Sequence, residues 1–186
     1  MGGFFGITSK CDCMMDVFFG VDYHSHLGTR RGGMAAYDSE VGLQRKIHNI
    51  ENSPFRTKFE HIFNEMYGTS AIGCISDSDP QPMLIRSRIG TYAISTVGII
   101  NNADALIDQY LSFSGGHFDA MTGGRVNTTE LVAALINQKE TFADGRHTLF
   151  GGYQLVIADT LTREIISAAF THLLKHFKKI YLIGHV

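Results

Sequence analysis

The chain lacks anything that would divide it. It has no Pro- or Ser-rich linker, no low-complexity tract and no internal repeat, so its 186 residues read as a single domain. A domain of that size buries roughly 70% of its unfolded surface. It also lacks an excess of either charge: a formal net charge of −2 with 18% charged residues offers no basic field, which excludes nucleic acid and acidic lipid as partners. Cysteine is scarce. Cys11, Cys13 and Cys74 are odd in number and unevenly spaced, which excludes a secreted disulfide framework and places the protein in a reducing cytoplasm. Cys11-Asp12-Cys13 has no second Cys or His pair with which to hold zinc. Long hydrophobic runs are missing too. The apolar start is preceded by no Lys or Arg and is broken by Lys10, Asp12 and Asp16, which excludes a signal peptide or a membrane helix. Gly6 stands where an N-myristoylation signal needs Ser or Thr. No Gly-x-Ser-x-Gly elbow seats a serine nucleophile.

What is present begins at Met1-Gly2-Gly3-Phe4-Phe5-Gly6-Ile7, an apolar, glycine-spaced terminus that reads as a short, buried, central strand. Met14, Val17, Phe18, Val21 and Leu27 place a helix over Cys13 to Leu27. Gly28 to Gly33 reads as a tight exposed turn carrying Arg30 and Arg31, either as a phosphate site or as solvated arginines, before the short apolar run Met34 to Tyr37. Val41 to Ile50 alternates as a strand, and Pro54 starts a helix through Phe55, Phe59, Ile62, Phe63 and Met66. Three strands follow at Ala71 to Ile75, Met83 to Ile85 and Tyr92 to Ile99. Asn101-Asn102 caps a helix from Ala103 to Phe113, and Asn127-Thr128-Thr129-Glu130 caps another through Leu131, Leu135 and Ile136. Tyr153 to Ala158 reads as a strand, Thr160 to Lys179 as an amphipathic helix and Ile180 to Ile183 as a last strand. Strands in clusters and helices in pairs argue for α+β layers over a doubly wound parallel sheet.

Four of these pieces, in order, resemble the class II glutamine amidotransferase domain of the amidophosphoribosyltransferase family, which opens purine biosynthesis. Met1-Gly2-Gly3-Phe4-Phe5-Gly6-Ile7 is similar to the family's Met-Cys-Gly-Ile-Phe-Gly-Ile start, and Arg30-Arg31-Gly32-Gly33-Met34-Ala35-Ala36 to its His-Arg-Gly-Gln-Asp-Ala-Ala-Gly loop. Val97-Gly98-Ile99-Ile100-Asn101-Asn102-Ala103 looks like its Asn-Gly-Asn-Leu-Thr-Asn-Ala segment, and Asn127-Thr128-Thr129-Glu130 like its Asn-Thr-Thr-Ser-Asp-Ser-Glu helix start with a deletion. The resemblance covers residues 1 to about 145. It implies the four-layer αββα sandwich of N-terminal nucleophile hydrolases, incomplete at the C-terminus, with residues 146–186 a divergent extension packed on or completing the same domain. It also implies attack of an N-terminal thiol on the glutamine amide, with the α-amine as base and an Asn side chain plus a Gly N–H as oxyanion hole.

The chain departs from that pattern where the chemistry lies. Gly2 occupies the nucleophile position and has no nucleophilic side chain. Ser76 stands where the resemblance puts the arginine that holds the glutamine carboxylate, Val97 replaces the oxyanion asparagine beside Gly98, and the amine-binding aspartate falls in the gap after Thr129. The residual pocket is Arg31, Gly32, Ser76, Gly98 and Thr128, with no catalytic residue. Loss of a covalent nucleophile costs on the order of a million-fold in rate and loss of one oxyanion donor on the order of a hundred-fold, so glutaminase activity is expected to be absent. Past Gly145 nothing looks like a transferase phosphate-binding signature. The implied partner is therefore a phosphoribosyltransferase domain or subunit that takes free ammonia, in a homo-oligomer and without a cofactor; the alternative is a stand-alone non-catalytic binding or structural domain. A rival reading takes Val21-Asp22-Tyr23-His24-Ser25-His26-Leu27 as a strand end whose Asp22, His24 and His26 chelate a metal, as in amidohydrolase and histidinol-phosphatase-type hydrolases. His48, His61 and His117 do not complete such a site, and surface or helix-terminal histidines are the competing explanation.

Overall fold

The computed structural model describes residues 2–77, 79–87, 90–98, 100–138, 140–141, 147–149, 153–154 and 180–184. Four strands, β1 (Gly2–Thr8), β2 (Arg31–Asp38), β3 (Gly42–Asn49) and β4 (Ser70–Ser76), form an antiparallel sheet in the order β1-β4-β2-β3. Among the described residues β1 therefore lies at an edge of its sheet, and β4 and β2 take the interior places in contrast to the central strand expected at the N-terminus. A second sheet runs β12 (Ile180–Gly184), β6 (Gly90–Val97), β5 (Met83–Ser87), with β12 parallel to β6 and β5 antiparallel to it. The architecture is α+β with mostly antiparallel sheets.

Period-two alternation gives the first sheet two apolar faces. On one, Met34, Ala36, Ala71 and Ile75 meet α1 (Met14–Tyr23), whose buried Met14, Val17, Phe18 and Val21 repeat at helical spacing. Phe55 and Phe59 join this core with ring centroids 4.4 Å apart, a stacked pair worth about 0.5–1.5 kcal/mol beyond its buried area. On the other face, Ala35 and Ile72 pack against Ala93 of β6, so the two sheets share a thin, small-residue core. The opposite face of the second sheet buries Tyr92 and Ile94 against Val132 and Ala133 of α5 (Thr128–Gln138), while Leu131 and Leu135 of α5 meet Leu106 of α4 (Ala103–Ser114).

Several expectations are corrected. Arg31, Gly32 and Gly33 lie inside β2 and both glycines are buried, so the exposed turn ends earlier, at Arg30. Close approach and not turn geometry demands glycine here: a Cβ on Gly32 would stand 2.7 Å from the Phe55 ring, and one on Gly33 would overlap the Gln81 carbonyl oxygen. The helix after Pro54 breaks into α2 (Phe55–Phe59) and α3 (Ile62–Glu65). Asn102 does precede α4, but its side chain makes no cap hydrogen bond, whereas the Asn127 side chain accepts from the Thr129 and Glu130 N–H groups at 2.8 and 3.3 Å. The hairpin β7 (Met121–Thr122) to β8 (Arg125–Val126) was not anticipated; its Gly123-Gly124 turn, with φ of 61° and 80°, carries the sequence signal of a two-residue hairpin loop. Short strands β9 (Glu140–Thr141), β10 (His147–Leu149) and β11 (Tyr153–Gln154) form a small sheet of their own. The expected helix from Thr160 to Lys179, and Leu155 to Ala158 of the expected strand, lie outside the described residues.

Candidate functional site

The register of the first sheet sets Gly2 opposite Ser76 and Ser76 opposite Arg31, a cross-strand row over β1, β4 and β2. One rung inward, Gly32 faces Ile75. Because Gly3 packs against His24 and Leu27 on the helix-covered face, Gly2, Ser76 and Arg31 belong to the face turned toward the second sheet. Three separated stretches of sequence thus meet at one end of the sheet. Gly2 is closely packed: a Cβ there would lie 2.5 Å from the Ile75 carbonyl oxygen, so the position lacks room for a side chain as well as lacking the side chain itself. Arg31 is half-buried and, among the described residues, its guanidinium forms no ion pair; neighbouring Arg30 reaches Glu51 at 3.9 Å.

Beyond Ser76 runs a buried polar network that sequence reasoning did not foresee. Gln81 Nε2 donates to Ser76 Oγ at 3.4 Å, while Gln81 Oε1 accepts from Ser95 Oγ at 3.1 Å and from the Thr96 N–H at 2.7 Å. The hydroxyls of Thr96 and Thr129 share a 2.7 Å hydrogen bond. Thr128 donates through both its N–H and its hydroxyl, each at 3.2 Å, to Asp79 Oδ2, which sits as an acceptor at the first turn of α5. Ser76, Asp79, Gln81, Ser95, Asn127 and Thr129 are all buried. Gly98 lies exposed just past the end of β6. Of the expected pocket positions, then, Gly2, Ser76, Arg31 and Gly32 are adjacent, the half-buried Thr128 is bound to Asp79, and Gly98 lies two residues beyond Thr96. Gln81 stands in a stretch of turn-forming residues with nothing in its sequence context to distinguish it.

The three thiols differ in accessibility. Burial pushes Cys74 up to about 12, opposed by a hydrogen bond with Ser95. Burial first, then the charges of Asp12 and Asp16, push Cys13 up to about 11, and its Sγ donates to the Gly68 carbonyl at 3.0 Å. Both stay protonated and inert at neutral pH. Cys11 is exposed and its Sγ lies 3.4 Å from Ser9 Oγ.

The metal reading needs a strand at Val21 to Leu27, and the chain forms the end of α1 followed by a short 3₁₀ turn (Ser25–Leu27). Asp22 is taken by Arg56, whose Nε donates to it at 3.2 Å. His24 Nδ1 lies 2.8 Å from the Gly20 carbonyl oxygen and His26 Nδ1 2.9 Å from that of Tyr23, both local helix-end contacts. Among the described residues no three His, Cys, Asp or Glu side chains gather where a metal ion could sit. His48 stacks edge-on against Phe59 with centroids 4.8 Å apart, His61 lies 3.4 Å from Glu60, and His117 pairs with Asp119 at 3.3 Å, all remote from α1's end in role.

No family model matches the sequence, and no curated protein matches it. Solved structures do. The chain is similar to a glutamine phosphoribosylpyrophosphate (PRPP) amidotransferase from B. subtilis, complexed with ADP and GMP, at TM-score 0.62 and 24% identity, over 77% of this chain and 30% of that one. A structure described as the allosteric regulatory enzyme of purine biosynthesis matches with the same TM-score, identity and coverage. The match thus spans less than a third of the length of those chains. Over most of its length, this chain has the fold found in part of a glutamine PRPP amidotransferase.

Proposed function

We propose that this chain is a glutamine amidotransferase-like domain of an amidophosphoribosyltransferase-like protein in purine biosynthesis, a four-layer αββα sandwich of the N-terminal nucleophile hydrolase type from which glutaminase activity has been lost. The observation that carries the reading is the row Gly2, Ser76, Arg31: the positions of the nucleophile and of its pocket adjoin on one sheet face, yet the first bears no side chain and is pressed against the Ile75 carbonyl. Glutamine attack needs a nucleophile, an oxyanion site and a cation for the substrate carboxylate. Here Gly2, Val97 and Ser76 occupy those places, and of the pocket only Arg31, Gly32, Gly98 and Thr128 remain. Residues 146–186 complete the same domain, a reading supported by β12, which extends the second sheet alongside β6.

The role that follows is a scaffold for a phosphoribosyltransferase that uses free ammonia, supplied by a domain or subunit outside these 186 residues, in a homo-oligomer. The test is ammonia release from L-glutamine by the purified chain. Background release is expected at every glutamine concentration; saturable release that a thiol-directed glutamine analogue abolishes overturns the reading. Ammonium- and PRPP-dependent pyrophosphate release by the whole gene product separates the scaffold role from the stand-alone one.

A further inference from the structure

The carboxamide of Gln81 makes three hydrogen bonds, to residues of both sheets. Its side chain is buried, with a residue exposure of 3%. Its orientation is fixed by chemistry, because the Thr96 N–H can only donate and so selects Oε1, at 2.7 Å; Ser95 Oγ donates to the same oxygen at 3.1 Å, and Nε2 is left to donate to Ser76 Oγ at 3.4 Å. The seat is built from both sheets. Ser76 ends β4 of the first, whereas Ser95 and Thr96 belong to β6 of the second.

The strand ladder explains why a seat exists. β5 enters the second sheet at Met83, opposite Ile94, so Ser95 and Thr96 run past the end of their neighbour. The backbone of residues 81 and 82 turns away to the first sheet, where the Gln81 carbonyl oxygen lies against Gly33 and the Pro82 carbonyl accepts from Arg45 Nη1 at 3.5 Å. β12 pairs with Ser95 and Thr96 on the other side, so it is on the β5 side that the half-buried Thr96 N–H would lack a strand partner, and an amide is the group that matches a peptide carbonyl there.

We infer that residues Ser76, Ser95 and Thr96 form a primary-carboxamide site, and that Gln81 is its built-in occupant, closing this pocket to any free amide. The hydrogen bonds alone carry this, without the fold likeness. A side chain tethered at the site competes at an effective concentration in the millimolar range or above, so a weak free amide does not displace it.

The experiment is thermal unfolding of the full 186-residue chain and of its Gln81→Ala variant across a propionamide titration, with N,N-dimethylpropionamide, which has no N–H to donate, as control. The wild type should show no shift with either amide. Gln81→Ala should unfold lower by on the order of 5–10 °C, since buried donors lose their acceptor. Propionamide should return part of that loss saturably, and the dimethyl compound none. Should Gln81→Ala be unfolded without additive, refolding driven by propionamide and not by its dimethyl analogue reads the same equilibrium. Equal shifts of wild type and variant, recovery by both amides, or no recovery by propionamide overturns the inference. Ammonia release from glutamine is not measured in this experiment, so its failure leaves the proposed function untouched.

Discussion

Placing a thiol at position 2 is the sharpest test of the proposed function. In Gly2→Cys, with the initiator methionine removed and the new terminus verified by mass, the chain carries a terminal thiol and α-amine. Two effects oppose any gain. The added Cβ would meet the Ile75 carbonyl oxygen at 2.5 Å, where ordinary contact begins at 3.4 Å, and that oxygen is a backbone atom of β4, so β1 or β4 must move. Overpacking of this kind costs about 1–3 kcal/mol. For a chain of this size each kcal/mol lowers the midpoint by about 2–4 °C. On the proposed correspondence the thiol would also act with Val97 at the oxyanion asparagine's place, a loss on the order of a hundred-fold or more, and with Ser76 at the place of the cation for the substrate carboxylate. The expected result is a lower unfolding midpoint by calorimetry and ammonia release from glutamine that stays at background. Saturable, glutamine-dependent ammonia release by Gly2→Cys refutes the reasoning, because it requires a working pocket around a position judged too tight for a side chain.

Four further outcomes are expected. Asn127→Ala removes the acceptor for the Thr129 and Glu130 N–H groups at the start of α5, a loss of about 0.5–2 kcal/mol that a denaturant titration resolves, with Asn127→Asp retaining most of the stability. Phe59→Ala empties a fully buried site stacked on Phe55 and should cost about 3–5 kcal/mol by the same measurement. Iodoacetamide at pH 8 should label Cys11 rapidly, and Cys13 and Cys74 only on unfolding. The same thiols set a pH dependence. Folding raises Cys74 from 9.0 to about 12 and Cys13 from 9.0 to about 11, so above pH 9 the unfolded chain releases protons that the folded chain keeps, and stability present below pH 9 should decline as pH rises toward those values. Replacing both cysteines with Ala should remove the thiol part of that decline.

Local signals were legible where one stretch decides its own conformation. Met14, Val17, Phe18 and Val21 announce a helix by spacing alone, Asn127 announces the start of α5, and the apolar runs of β4, β5 and β6 announce strands. So was the absence of a nucleophile at Gly2, and the family resemblance anticipated the fold likeness. The local reading failed where a distant residue sets the environment: Gly32 and Gly33 look like a turn until Phe55 and Gln81 are seen to press on them, and Asp22, His24 and His26 look like a strand-end chelate until the core packs their segment as helix.

Sequence by itself, then, determined most of the elements and the bare side chain at Gly2, because helix periodicity, an N-cap and residue identity are properties of neighbouring residues. Only the tertiary structure decided that β1 pairs with β4, that Gly2, Ser76 and Arg31 form one row, and that Gln81 bonds to residues of both sheets. Those depend on register and on hydrogen bonds between residues far apart in the chain, and the burial that makes such bonds obligatory exists only once the sheets have packed.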